Sequence, residues 1–125
     1  MSPDQAEWVR RAYEAFNRRD NDALAGLMDP DIEFRTTVET AHGRAGVEEW
    51  VRQVDELFDD FQIEIEETLE AGDRVVVLVH EHARAKGSGL DVDMRIGHVW
   101  TLRDGRAVAM HAYPTHAEAR AAVAA

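Results

Sequence analysis

The sequence predicts an α+β fold in one domain spanning residues 1–125, a half-open cone in which a curved mixed or antiparallel sheet wraps around a long helix. Three observations predict it. Helical periodicity fills much of the first half of the chain, four strand-like segments joined by short turns fill the second, and the resulting sheet has an apolar face that only the preceding helices can cover. The expected order is helix, helix, strand, helix, four strands and a short C-terminal helix.

Ser2, Pro3 and Gln5 start the first helix as N-cap, first helical residue and capping-box partner. Val9, Ala12, Tyr13 and Phe16 mark its apolar side at helical spacing, and "RRDND" ends it. Ala23, Leu24, Leu27 and Met28 make a short second helix, which Asp29-Pro30 stops because proline disfavours helical geometry in the residue before it. "DIEFRTT" alternates Ile32, Phe34 and Thr36 against Glu33 and Arg35, as a half-buried strand does. After a loop "VETAHGRAG", Val47, Trp50, Val51, Val54, Leu57 and Phe58 recur at intervals of three and four, the clearest amphipathic helix in the chain. Phe61, Ile63, Ile65 and Leu69 begin the sheet; "AGD", "GSG" and Asp104-Gly105 turn it, and "RAVAMHAY" is its last strand. Thr115 and Glu118 cap the tail helix.

Composition narrows function more than it names it. The formal charge is −11, and from Asp55 to Asp73 acidic residues accumulate without an intervening Lys or Arg. Such a surface repels phosphate backbones and anionic lipid, so neither nucleic acid nor a membrane is an expected partner. No apolar run approaches the roughly 20 residues that span a bilayer. With no cysteine and no secretory signature at the N-terminus, a cytoplasmic location is expected. A neutral, partly apolar small molecule is the expected ligand.

The strand "DVDMRIGHVWTL" presents Met94, Ile96, His98, Trp100 and Leu102 on one side, taken as the inner face. A tight hairpin with Lys86 opposite Leu90 sets His82 against Met94, His80 against Ile96 and Leu78 against His98, with Glu81 facing Arg95 outside. On that pairing His80, His82 and His98 share the concave face. They admit three readings. In the first, His80 and His82 are half-exposed rim residues and His98 is a hydrogen-bonded core residue. In the second, His98 is the deepest polar group of a pocket walled by Trp100, Met94, Ile96, Phe34 and Trp50, with Tyr13 able to reach the ligand and His80 as second donor or base. In the third, His80, His82 and His98 ligate a metal ion. His98 and His80 are the preferred catalytic candidates, and no metal or cofactor is expected. His42 is a candidate for a pocket lid, and His111 and Tyr113 share the other side of the last strand.

The segments "AYEAFNRRDNDALAGLMDPDIEF", "GRAGVEEWV", "AGDRVVVLV" and "GHVWTLRDGRAVAMHAYPTHAEA" resemble, in order and spacing, the nuclear-transport-factor-2-like superfamily and within it the SnoaL-like polyketide cyclases. The resemblance covers nearly the whole chain. It implies a pocket between sheet and helices and a homodimer formed through the outer sheet face. It does not fix an activity, because this superfamily hosts isomerases, cyclases, hydrolases and non-enzymatic domains. Ketosteroid isomerases, its relatives, use a tyrosine, a protonated aspartic acid and an aspartate base. Alignment with them places Ala12 at the tyrosine, Thr36 at the base and His98 at the acid, or Gly97 where the last hairpin is aligned one residue differently, so that activity is not transferred. Two functions follow as expectations: a cofactor-independent enzyme of the isomerase, cyclase or hydrolase type working by proton transfer, or a non-catalytic ligand-binding or dimerisation domain with a vestigial pocket.

Overall fold

The computed structural model describes residues 3–124, so the expected Ser2 cap lies outside the described residues. The elements are α1 (Pro3–Asn17), α2 (Asn21–Gly26), β1 (Met28–Arg35), β2 (Thr40–His42), α3 (Gly43–Leu57), β3 (Phe58–Ala71), β4 (Arg74–Ala85), β5 (Asp91–Arg103), β6 (Arg106–Tyr113) and α4 (His116–Val123). They form the expected α+β cone. One curved six-stranded sheet has the order β2-β1-β6-β5-β4-β3, and only the β1–β6 contact is parallel.

Helices α1 and α3 fill the concavity. Trp8, Val9, Ala12, Tyr13 and Phe16 of α1 meet Val47, Val51 and Val54 of α3, Met28, Ile32 and Phe34 of β1, and Val75, Val77 and Val79 of β4 in one buried cluster. Burying a large aliphatic or aromatic side chain contributes about 1.5–3 kcal/mol, so this cluster is the main support of the fold. Asn17 fastens the end of α1 to β3, its amide donating to the Ile63 carbonyl and its oxygen accepting from the Ile63 N–H, both at 2.9 Å. Trp8, absent from the expected apolar stripe, is buried and donates its indole N–H to the Leu27 carbonyl at 3.1 Å.

Several expected boundaries move. The second helix stops at Gly26, and Met28 already pairs with Ala107 as the start of β1. Pro30 lies inside that strand, where the ladder is broken between Met28 and Glu33, the kind of irregularity that tolerates a missing N–H. Thr40–His42, expected as loop, adds β2 to the edge of β1. On α3 the apolar stripe is shorter than expected: Leu57 is 62% exposed and Phe58 belongs to β3.

The largest correction concerns the β4–β5 hairpin. Its loop is Lys86-Gly87-Ser88-Gly89, with the Ala85 N–H donating to the Leu90 carbonyl, one residue longer than the expected "GSG" turn. The register therefore moves by one: Val77 faces His98, Val79 faces Ile96, His80 faces Arg95, Glu81 faces Met94 and His82 faces Asp93. Because side chains alternate between faces, a shift of one residue moves every β4 side chain to the other side. His80 and His82 stand on the outer face, and Glu81 stands on the inner one. Arg95 accordingly pairs with Glu66 at 3.0 Å, and the expected Glu81–Arg95 pair does not form.

The outer face is partly covered too. Helix α4, capped by the Thr115 hydroxyl accepting from the Glu118 N–H at 3.0 Å, packs Ala119 on Val76, Leu78 and Val99. A Cβ on Gly97 would stand 2.2 Å from the Ala119 Cβ, so β5 carries glycine where the helix crosses it.

Candidate active site

The helices and the inner face of the sheet enclose a cavity of about 430 Å³. Of the expected pocket residues, Tyr13, Phe34, Thr36, Trp50, Met94, Ile96, His98 and Trp100 line it. The structure thus brings together residues from α1, β1, α3 and β5. His80 and His82 do not line it, because the register sends them outward. His42 is not part of the wall; the stretch Thr36 to Glu39, after β1, supplies that side. Met110 and Ala112 face the cavity from β6, which leaves His111 and Tyr113 on the outer side, stacked with ring centroids 4.1 Å apart.

Three buried polar residues belong to this mostly apolar wall. Tyr13 Oη lies 2.6 Å from His98 Nδ1, and the Trp100 indole N–H donates to Tyr13 Oη at 2.9 Å. Since indole nitrogen can only donate, the tyrosine oxygen accepts there, and donation of its own proton to His98 Nδ1 satisfies both groups. That places the imidazole proton on Nε2. Among the described residues no protein group bonds Nε2, so it is the atom of this chain of hydrogen bonds left for a ligand. Burial lowers the His98 pKa from 6.5 to about 4, which keeps the ring neutral. Burial also raises the Tyr13 pKa far above that of a free phenol, opposed by the Trp100 hydrogen bond and reinforced by Glu81, so the hydroxyl keeps its proton.

Glu81 is the third, and the sequence reading placed it outside. Its side chain is buried on the inner face of β4, 3% exposed, with no ion pair or hydrogen bond to its carboxyl among the described residues. Burial alone raises its pKa from 4.5 to about 7. A signal for this orientation was present: from His80 to Lys86, His80, His82, Arg84 and Lys86 form one polar side, while Glu81, Ala83 and Ala85 form the other. A carboxyl with a pKa near neutrality, a neutral imidazole donor and an apolar cavity are the components of general acid–base chemistry on a small molecule.

The SnoaL-like domain family matches residues 9–110, most of the chain, including Tyr13, Glu81, His98 and Trp100. The chain belongs to the SnoaL-like domain family. Among solved structures this SnoaL-like domain is similar to a nuclear-transport-factor-2-like protein of unknown function from Burkholderia pseudomallei, with 28% identity, a TM-score of 0.83 and 100% of each chain covered. It is also similar to TerC co-crystallised with polyporic acid, with 27% identity, a TM-score of 0.81 and 98% of each chain covered. A SnoaL-like polyketide cyclase from Jannaschia shares the fold at 22% identity and a TM-score of 0.81, covering 100% of this chain and 96% of the other. No curated protein matches the chain. The SnoaL-like architecture accounts for the cone; Tyr13, Glu81 and His98 are the buried polar residues that line this chain's cavity.

Proposed function

We propose that this SnoaL-like domain binds a neutral, partly apolar small molecule in its cavity and transfers a proton on it without a cofactor. The observation that carries the reading is the unpaired Glu81 carboxyl in the cavity wall, held by burial at a pKa of about 7. Near neutral pH such a group exists in both forms, so it can take a proton from carbon and return one. His98 is two same-face positions away, the intervening pair being Val79 and Ile96. That is about 13 Å along the strands, and both side chains line the same cavity.

A fitting step has the Glu81 carboxylate remove a proton from a carbon beside a carbonyl. His98 Nε2–H donates to the carbonyl oxygen as negative charge develops there, with Tyr13 and Trp100 holding the ring in the required tautomer. The proton then passes from Glu81 to another carbon of the same molecule, giving isomerisation. In a ring closure the enolate carbon instead attacks a second carbonyl of the same molecule, whose C=O π bond breaks, and Glu81 returns its proton to the resulting alkoxide. Phe34, Trp50 and Met94 hold the apolar part. A neutral ligand fits because a second anion would meet Glu81 in a poorly solvated site. The structure of TerC with polyporic acid supports a small organic molecule as occupant. An open cavity with His98 bonded to Tyr13 favours this reading over a vestigial pocket filled by Trp50, Trp100 and Met94.

The test is deuterium uptake from heavy water into a panel of neutral enolisable ketones, followed by proton NMR. Uptake by at least one ketone should fall about 10²–10⁴-fold in Glu81→Gln. Equal rates in wild type and Glu81→Gln across the panel would refute the role of Glu81. The reading also has two copies joined through the outer sheet face, where His111 and Tyr113 stack beside the Glu33–Arg35 pair in a mixed aromatic and polar surface. The absence of cysteine suits a reducing, cytoplasmic compartment.

A further inference from the structure

The register that sends His80 and His82 outward gives them a different setting. On the outer face, the row Glu64, His80, Arg95 lies beside the row Gln62, His82, Asp93, each row crossing β3, β4 and β5. Diagonal contacts join the two rows. His82 Nε2 lies 3.3 Å from Glu64 Oε2, His80 Nε2 contacts Asp93 Oδ1, and the two imidazole centroids are 3.8 Å apart. Ligand atoms of Glu64, His80 and His82 all fall within 4.8 Å of one another.

We propose that Glu64, His80 and His82, with Asp93 as a fourth donor, form a site for a borderline-soft divalent transition ion such as Zn²⁺. The hydrogen bonding favours it. Arg95 Nη2 lies 3.5 Å from His80 Nδ1, and a guanidinium can only donate, so Nδ1 accepts and the His80 proton sits on Nε2 toward Asp93. His82 likewise turns Nε2 to a carboxylate. Each Nε2 proton is directed at a carboxylate where an ion would replace it, and neutral imidazoles with carboxylates are a zinc ligand set. Tetrahedral zinc with bonds of about 2.0–2.2 Å needs donors roughly 3.3–3.6 Å apart. The His82–Glu64 pair is already at that separation, and side-chain torsions close the remaining gap.

The surroundings agree. Two carboxylates balance the ion's charge, Arg95 is neutralised by Glu66 at 3.0 Å, and the donors stand on three hydrogen-bonded strands instead of a loop. Two imidazoles select zinc, nickel or copper over magnesium or calcium, which prefer oxygen ligands. The ion would hold both residues flanking Glu81 and so fix the segment that carries the interior carboxyl. This inference stands on the outer-face geometry and is independent of any reaction in the cavity.

The experiment is isothermal titration of the untagged full chain with ZnCl₂ in a non-chelating buffer, with thermal melts alongside. One equivalent should bind with micromolar or better affinity and raise the melting temperature. His82→Ala and Glu64→Gln, whose side chains are 44% and 66% exposed, should each weaken binding at least about tenfold and abolish the thermal shift while melting normally without zinc. His111→Ala, outside the cluster, should bind zinc as wild type does. Absence of binding, unchanged affinity in Glu64→Gln and His82→Ala, or equal affinity for Mg²⁺ would each overturn the site.

Discussion

Glu81 and His98 titrate in opposite senses over overlapping ranges. Burial raises Glu81 from 4.5 to about 7, so the folded state holds this proton more tightly than the unfolded chain. Its effect is a stability present in full below 4.5 and lost as pH rises toward 7. His98 falls from 6.5 to about 4, so its contribution is present in full above 6.5 and lost as pH falls toward 4. Where the windows overlap the two slopes oppose each other. Glu81→Gln should therefore gain on the order of 3 kcal/mol over wild type above pH 7, and its own stability should climb with pH between about 4 and 6.5. Urea unfolding at a series of pH values measures this; a difference between variant and wild type that stays constant with pH would show that Glu81 ionises as it does in water. Tyr13→Phe removes the oxygen that joins Trp100 to His98 and should cost about 1–3 kcal/mol, read in the same unfolding series. At this scale the sequence was half legible. His98, Trp100, Met94 and Ile96 stand inside as their alternation requires, but Glu81 looked like an outer-face partner of Arg95 because both faces of β4 begin apolar.

That two-sided burial belongs to the elements. Val76 and Leu78 are covered by α4, while Val75, Val77 and Val79 face the helices of the cone, so the run "VVVLV" carries no alternation that could set its register. Loop length decided it, and the choice between a three-residue and a four-residue hairpin inverted the strand. Cross-linking checks the pairing: His82→Cys with Asp93→Cys should form a disulfide under mild oxidation, and His82→Cys with Met94→Cys should not, since only the first pair is directly opposite. The contact between α4 and β5 has its own test. Gly97→Ala places a methyl against Ala119 and should destabilise by about 1–3 kcal/mol, with the melting temperature showing no loss if α4 shifts freely. Helices α1 and α3 and the places where the hairpins turn were legible because periodicity and turn residues are local, whereas the β4–β5 register was not. The start of β1 was not, because its parallel partner β6 lies more than seventy residues away, and the edge strand β2 was not, because three residues with one half-buried position carry no strand pattern of their own.

For the whole molecule, the proposed assembly predicts the mass of a dimer by light scattering at micromolar concentration; a monomer mass would remove the outer face as an interface. The central claim is that the interior cavity receives a small neutral molecule and that its polar wall helps hold it. The cavity is walled by Trp50 and Trp100, so an occupant changes their environment. The most direct measurement is titration with the neutral fluorophore N-phenyl-1-naphthylamine, reading both its emission and tryptophan quenching, in wild type and in Ala112→Phe, which fills the cavity from β6. Saturable binding in wild type that Ala112→Phe abolishes while the protein remains folded is the expected result. Equal binding by both proteins, or none by wild type, would contradict an interior binding site.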